Sequence, residues 1–178
     1  MKYFFLETDE GNKIPYAINK NRAIDIRYLT KEGLSRLPMW TIVRMVFPEE
    51  GFFPDILCEP CVMVSETCMD VILMYEMYQG ETKSKRLKVW DKQKGINGTY
   101  YLPLLPRIDC LSEDTVCNSI GNRILKPILK KEKIGEYVVF LVKGYKRNGF
   151  VARLDYVESI LRRKAEGIRF EEIEVKGN

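Results

Sequence analysis

Apolar residues occur in short runs throughout this chain, and the longest unbroken run has six residues, at positions 137–142. A membrane-spanning helix needs about 20 consecutive apolar residues, so we expect no membrane span. Continuous apolarity over so short a stretch is typical of a strand that is buried on both faces. We therefore expect residues 137–142 to form a central strand of a sheet.

Two other segments have the periodicity of amphipathic helices. The first runs over about 65–79, with Ser65 as its N-cap. The second runs over about 155–165, with Asp155 as its N-cap and Gly167 as its end. These are the two main helices that the sequence predicts.

The remaining patterns favour strands. Residues 85–90 and 99–102 flank a turn that contains Gly95 and Gly98, which predicts a hairpin. Residues 168–175 alternate apolar with charged side chains, which favours a final edge strand. Many strands and few helices predict an α+β fold with a mostly antiparallel or mixed sheet.

The 178 residues fit a single α+β domain, 1–178, because no linker-like segment divides them. Residues 1–50 have the weakest patterning, and we expect a less regular N-terminal subregion there. The N-terminus reaches an acidic residue, Glu7, after only four apolar residues. A secretory signal needs a longer apolar stretch, so we expect the protein in the cytoplasm.

Histidine is absent from the chain. This removes the commonest general base and the commonest metal ligand. The sequence also lacks a glycine-rich phosphate loop and a nucleophile elbow, and the carboxylates of Asp55, Asp109 and Asp114 have no spacing that pairs them. We therefore expect no enzyme activity and no cofactor.

Cys58 and Cys61 have the two-residue spacing of zinc and redox motifs. A zinc site would need two more ligands, and only Cys68, Cys110 and Cys117 remain as thiol donors. A redox pair usually precedes a helix N-terminus directly, but here an apolar strand intervenes. Buried apolar thiols are the simplest interpretation, and Cys58 and Cys61 remain weak candidates for a metal site.

The formal net charge of +4 conceals a marked asymmetry. Residues 1–80 carry 8 basic and 12 acidic side chains, whereas residues 81–178 carry 21 and 13. A basic surface steers acidic partners and raises their association rate. We predict partner contacts on the hairpin and on the charged side of the last helix, namely at Lys85, Arg86, Lys88, Trp90, Glu158, Arg162 and Arg163.

An alternative hypothesis is that the chain is a nucleic-acid-binding accessory protein. Aromatic residues interleave with basic ones in segments 83–94 and 143–147, and such segments bind single strands by stacking and phosphate contact. The spacing matches neither an RRM nor a KH signature.

Six short stretches have a characteristic order and spacing. They are FPDIL at 53–57, MVSE at 63–66, YYL at 100–102, IDCL at 108–111, VFL at 139–141 and GIRFEE at 167–172. With these stretches the chain resembles a family of immunity proteins from bacterial polymorphic toxin systems, formerly a domain of unknown function. The resemblance implies an α+β protein that binds and neutralises a cognate toxin by protein–protein contact, without catalysis. Cys58 and Cys61 are not part of this pattern.

Overall fold

Two six-stranded sheets organise the part of the chain that the structure describes, and each contains both parallel and antiparallel pairs. The structure is a computed structural model that describes residues 1–9, 15–17, 24, 29–38, 41–76 and 84–177. It confirms the predicted α+β class with mixed pairing, although the described strands divide among two large sheets and one small one.

The first sheet joins the two ends of the chain. In spatial order its strands are β11 (Ile128–Lys130), β14 (Ile168–Lys176), β1 (Tyr3–Thr8), β13 (Phe150–Arg153), β12 (Val139–Val142) and β8 (Arg107–Ile108). The two outermost pairs are parallel and the inner pairs are antiparallel.

One predicted strand position is wrong, because the last strand, β14, lies between β11 and β1 and is not an edge. Strand β12 pairs with β13 on one side and β8 on the other, so it is an internal strand, the fifth of six. Alternation of side chains reports which face of a strand meets solvent. Edge position depends instead on backbone pairing, which the alternation does not encode.

The second sheet contains the predicted hairpin. Its spatial order is β2 (Tyr16–Ala17), β3 (Thr41–Val46), β6 (Ser84–Asp91), β7 (Ile96–Pro103), β5 (Met63–Val64) and β4 (Ile56–Leu57). Strands β6 and β7 pair over their whole length, which confirms the hairpin. Strands β9 (Val116–Cys117) and β10 (Ile124–Lys126) form a separate two-stranded sheet.

Four helices are described: α1 (Lys31–Leu34), α2 (Glu66–Glu76), α3 (Lys131–Ile134) and α4 (Leu154–Arg162). The first predicted helix corresponds to α2, and residues 77–79 of that prediction lie outside the described residues. Ser65 is its N-cap as predicted, because its Oγ accepts a hydrogen bond from the Cys68 N–H at 3.3 Å.

Both predicted ends of the second main helix, α4, are wrong. Its N-cap position is Arg153, whose backbone is extended and which makes no side-chain cap hydrogen bond, whereas Asp155 lies in the first turn with its carboxylate held by Arg153 Nε and Nη2 at 2.9 and 2.7 Å. It ends at Arg162, where the Lys164 N–H donates to the Leu161 carbonyl and the Ala165 N–H to the Ile160 carbonyl. Lys164 has φ 60°, so it closes the helix in a position usually held by glycine.

Three apolar clusters form the core of the described part of the chain. The first joins the two sheets through α2 and α4, the second lies between the second sheet and the segment around α1, and the third lies between the first sheet and α3. Within the described ranges, the structure has no helix with the length and apolar character needed to cross a membrane.

The expected irregular subregion at residues 1–50 stays a prediction. Residues 10–14, 18–23, 25–28 and 39–40 lie outside the described residues. The described parts of this region include β1 and β3, each of which pairs with strands from much later in the chain.

Candidate functional site

The β6–β7 hairpin separates the predicted contact residues onto opposite faces of the second sheet. Successive side chains of a strand point to opposite faces, and Leu87 and Val89 are buried in the second cluster. Arg86, Lys88 and Trp90 therefore lie on the other face, whereas Lys85 shares the side of Leu87 and Val89.

Lys85 has a structural contact at the end of the buried face. Its Nζ donates a hydrogen bond to the Leu37 carbonyl at 3.1 Å, just beyond α1. Its stem is partly buried. The structure therefore does not bring Lys85 together with the other three predicted contact residues of the hairpin.

Asp91 is also committed to the fold. It is only 3% exposed, and its Oδ2 accepts the Phe47 N–H at 2.9 Å while its Oδ1 accepts the N–H groups of Gln93 and Lys94 at 2.9 and 3.1 Å. These backbone hydrogen bonds, led by the one from Phe47, lower the pKa of Asp91. This carboxylate fixes the hairpin turn and offers nothing to a ligand.

The opposite face is open to solvent, and parallel pairing with β3 widens it. In one row of the sheet Ile42, Lys88 and Thr99 are neighbours, and in the next row Arg44, Trp90 and Asn97 are neighbours. We call this surface the basic face. Its members are Ile42, Arg44, Arg86, Lys88, Trp90, Asn97 and Thr99.

The basic face combines cations with apolar surface. Ile42 is 49% exposed, Arg44 and Arg86 are exposed, and Lys88 and Trp90 are partly buried. None of its members is acidic, and no ion pair is found for its cations within the described ranges. Among the residues that the structure describes, this face thus presents positive charge without an ion-pair partner, next to a tryptophan.

One end of this face is covered by the protein itself. Tyr101, which pairs with Arg86, packs against the first cluster together with Val64. Its hydroxyl lies 3.5 Å from Glu66 Oε1 at the start of α2. Helix α2 therefore marks the boundary of the basic face on the β7 side.

The predicted contacts on α4 lie on a different surface. Arg162 pairs with Glu158 at 3.5 Å, as the i,i+4 spacing predicts, and both side chains are at least half exposed. Arg163 donates to the Ser159 carbonyl at 2.9 Å and lies 3.6 Å from the Met74 sulfur of α2. The described side chains include no hydrogen bond or ion pair between these α4 residues and the basic face.

The cysteines other than Cys117 are buried. Burial raises the pKa of Cys58 to about 11 and that of Cys61 to about 12. A raised pKa disfavours the thiolate, which is both the nucleophile and the metal-binding form. The searched part of the chain, the described residues, holds no group of three cysteines or carboxylates placed to bind a metal.

The candidate carboxylates each have a structural partner. Asp55 accepts from Ser65 Oγ at 2.5 Å and from the Glu166 N–H at 2.8 Å. Asp109 pairs with Lys143 at 3.1 Å, and Asp114 pairs with Lys176 at 2.8 Å. The predicted surface or capping roles account for these contacts.

A second candidate region lies at the turn of residues 143–149, which follows β12. Arg147 from this turn lines three clefts, of ≈410, ≈580 and ≈530 Å³. Its guanidinium binds Glu7 and Glu171, and it lies 4.7 Å from the centre of the Phe5 ring. The basic character of this segment is visible in the sequence, but nothing in the sequence indicates that Arg147 reaches β1.

Ile42 and Arg44 were missed by the sequence analysis. Their strand is separated from β6 by some forty residues that include α2. Parallel pairing between such distant segments has no local sequence signal. Only the alternation of β3, with Val43 and Met45 buried, indicates that Ile42 and Arg44 face outward.

Comparisons with known proteins add no relative. No model of a known protein family matches the chain, and no curated protein is significantly similar to it. The geometry of the basic face is therefore the main guide to function, because a partly apolar surface whose cations form no ion pair with the described residues is suited to binding an acidic surface.

Proposed function

We propose that this chain is an immunity protein that binds and neutralises a cognate bacterial toxin in the cytoplasm by protein–protein contact. The resemblance of its six sequence stretches to immunity proteins motivates the proposal. The observation that carries it is the basic face, on which Arg44 and Lys88 lie beside Trp90, Arg86 lies on the far side of Lys88, and none of the described members is acidic.

The composition of this face resembles that of a protein interface. Tryptophan and arginine dominate the small set of residues that carry most binding energy. Three adjacent strands supply a continuous surface, and a standard interface needs about 800 Å² from each partner. Acidic toxin surface would be steered to it by long-range attraction, so we expect association to slow as salt concentration rises.

Within the described residues, the groups considered for catalysis have structural roles, which supports a proposal of action by binding. The chain has no histidine, its buried thiols are held in the neutral form, and Asp55, Asp109 and Asp114 bind groups of the fold. Inhibition by steric coverage requires none of these chemistries.

The test uses the protein encoded by the gene next to this one. The two purified proteins are mixed, and the complex is measured by gel filtration and calorimetry. We expect a stable complex whose affinity falls about tenfold or more in the R86E/K88E double variant and in W90A. The matched control is K131E/K133E on α3, which makes the same charge change elsewhere and should alter affinity less than about twofold.

Two outcomes would count against the proposal in different ways. If the neighbouring proteins do not associate at any salt concentration, toxin neutralisation is wrong. If they associate but R86E/K88E and W90A bind as tightly as the wild type, the basic face is not the contact surface. The charge-reversed variant R162E/R163E then tests the predicted contact on α4.

Nucleic-acid binding is the second candidate function, because a sheet face that combines cations with an aromatic ring also suits single strands. Its two predicted segments lie in different parts of the fold: β6 belongs to the second sheet, whereas residues 143–147 follow β12 of the first. Counterion release predicts affinity that falls steeply with salt. A lack of binding to single-stranded DNA and RNA at ~50 mM salt would eliminate this candidate.

A further inference from the structure

The β9–β10 hairpin exposes apolar side chains that the fold does not use. Its strands pair with each other and, in the described part of the chain, with neither six-stranded sheet. Val116 is 46% exposed, Leu125 is 59% exposed, and Ile120 in the connecting turn is 79% exposed. Apolar side chains concentrated on one small projection mark an interaction site more often than scattered exposed residues do.

Asn118 makes four hydrogen bonds at the tip of this hairpin. Its Oδ1 accepts the Arg123 N–H at 3.0 Å, and its Nδ2 donates to Asn122 Oδ1 at 2.8 Å. Its backbone N–H donates to the Arg123 carbonyl, and its carbonyl accepts the Gly121 N–H, both at 2.8 Å. A tip fixed before binding loses little conformational entropy in a complex.

The base of the hairpin is fixed as well. Thr115 Oγ1 donates to the Ile128 carbonyl at 3.1 Å and accepts the Ile128 N–H at 3.3 Å. The Ser112 N–H donates to the same carbonyl at 2.8 Å. These bonds connect the hairpin to β11, so the exposed apolar residues are presented from a defined position.

A basic cleft lies beside the hairpin. It has a volume of ≈580 Å³, and its walls are residues 122–125 of the hairpin and residues 144–147 of the turn after β12. Its charged lining residues are Arg123, Lys146 and Arg147, and none of its lining residues is acidic. Arg147 is neutralised by Glu7 and Glu171, whereas Arg123 and Lys146 form no ion pair with the described residues.

We infer that this cleft binds an acidic segment of the partner protein, with its carboxylates beside Arg123 and Lys146 and an apolar side chain against Leu125 and Tyr145. The inference rests on the proposed function for the identity of the partner, and it deepens that function by giving the chemistry of the segment. Charge complementarity indicates which ligand the cleft binds. A cleft with an apolar wall and two cations that form no ion pair with the described residues favours a segment of alternating acidic and apolar residues.

The first experiment does not depend on the toxin. A capped pentapeptide of alternating glutamate and leucine is titrated into the isotope-labelled full chain, and amide shifts are followed by NMR. We expect shifts concentrated at 122–125 and 144–147, with a dissociation constant on the order of 1 mM. The R123E/K146E variant should bind the peptide about tenfold more weakly, because two favourable charge contacts become repulsive.

The controls separate this site from general basicity. R86E/K88E removes the same charge from the basic face and should leave peptide affinity at the cleft unchanged within about twofold. A pentapeptide of alternating glutamine and leucine should bind at least about fivefold more weakly than the glutamate peptide. The neutral variant R123Q/K146Q, checked for an unchanged thermal midpoint, replaces R123E/K146E if charge reversal disturbs folding.

The inference is overturned by three results: no shifts at the cleft, equal affinity of the glutamate and glutamine peptides, or equal affinity of the wild type and the cleft variants. A final arm measures R123E/K146E against the purified toxin. A wild-type complex that this variant leaves unweakened also overturns the inference, although the proposed function would stand. If no complex with the toxin forms, the proposed function is wrong. The peptide titration then tests separately whether the cleft binds acidic segments.

Discussion

Arg147 holds the carboxylate of Glu7 with two hydrogen bonds, from Nε to Oε2 at 2.9 Å and from Nη2 to Oε1 at 2.5 Å. The two residues are 140 positions apart in sequence. The pair joins the turn after β12 to the first strand of the chain. A third bond, from Nη1 to Glu171 Oε2 at 2.6 Å, extends the network to β14.

Replacement of Arg147 should destabilise the protein, because the largely buried Glu7 would lose its two short hydrogen bonds and keep only the longer contact with Arg169 at 3.6 Å. The two side chains are only 28% and 17% exposed. We expect Arg147→Ala to lower the free energy of unfolding by about 2–3 kcal/mol, and Arg147→Lys by less. Urea denaturation measures both. The control is Arg162→Ala at an ion pair whose arginine is 79% exposed, where the loss should be below about 0.5 kcal/mol; equal effects of the two alanine variants would contradict the prediction.

Asp55 links two helices, because it binds the N-cap residue of α2 and the backbone after α4. Its carboxylate accepts from Ser65 Oγ and from the Glu166 N–H. We expect Asp55→Ala to lower the free energy of unfolding by about 2–3 kcal/mol, because both donors lose a charged acceptor. Ser65→Ala should lower it by about 1 kcal/mol, because the helix cap is lost.

The double variant D55A/S65A should cost less than the sum of the single variants, because the two residues share one hydrogen bond. Thermal and urea unfolding provide the values. Asp70 on α2 supplies the matched control, because it is exposed and Asp70→Ala should change stability by less than about 0.5 kcal/mol. Strict additivity would show that the Asp55–Ser65 bond contributes little.

The thiols predict a dependence of stability on alkaline pH. Burial raises the pKa of Cys61 and Cys68 to about 12, from 9.0. Above pH 9.0 the unfolded chain therefore loses thiol protons that the folded chain retains, so this stability is complete below pH 9.0 and is lost as pH rises toward about 12. Urea denaturation across this range, with reductant, should show a declining free energy of unfolding.

Cys61→Ala should reduce the steepness of that alkaline decline, whereas Cys117→Ser should not. A thiol reagent provides a second measurement: Cys117 is exposed and should react quickly, while the buried cysteines should react only after unfolding. Rapid labelling that persists in Cys117→Ser would contradict the burial of the other thiols.

The end of α4 contains strain that a single substitution should relieve. Lys164 adopts φ 60°, a left-handed conformation that costs a residue with a Cβ about 1 kcal/mol relative to glycine. Lys164→Gly should therefore raise the free energy of unfolding by about 0.5–1 kcal/mol, less any loss through added flexibility of the unfolded chain. A lower thermal midpoint for this variant would show that the lysine side chain contributes more than the strain costs.

Gly167 should be intolerant of a side chain for two reasons. It has φ +72°, and a Cβ there would lie 2.4 Å from the Pro54 Cβ. Gly121 has a similar φ of +74° but nothing within 4 Å of its Cβ position. We expect Gly167→Ala to lower the free energy of unfolding by about 3 kcal/mol and Gly121→Ala to lower it by about 1 kcal/mol. The difference between the two values measures the cost of the steric clash at Gly167. Similar unfolding midpoints for the two variants would contradict this account.

Local patterns identified the hairpin and α2 correctly because the forces that form them act over short sequence distances. Alternation around the Gly95 turn predicts β6 and β7, and Ser65 begins α2 by satisfying a backbone donor three residues later. The same reasoning misplaced the start of α4, because Asp155 was available to cap it in sequence but is engaged by Arg153 in the structure.

The charged residues of the hairpin show more clearly what local patterns leave undetermined. Lys85, Arg86 and Lys88 are close in sequence, so the sequence predicts a common contact surface for them. The strand turns Lys85 toward the Leu37 carbonyl and leaves Arg86 and Lys88 on the open face. Arg44 joins that face only because β3 pairs with β6.

The sequence by itself determined the α+β class, the hairpin and the presence of excess positive charge in the second half of the chain. These follow from local periodicity and composition, which every segment carries with it. Only the tertiary structure decided the order of the strands, the position of Arg44 beside Trp90 on the basic face and the pairing of Arg147 with Glu7. Such contacts depend on which distant backbones share hydrogen bonds, and side-chain periodicity within each segment is compatible with many pairings.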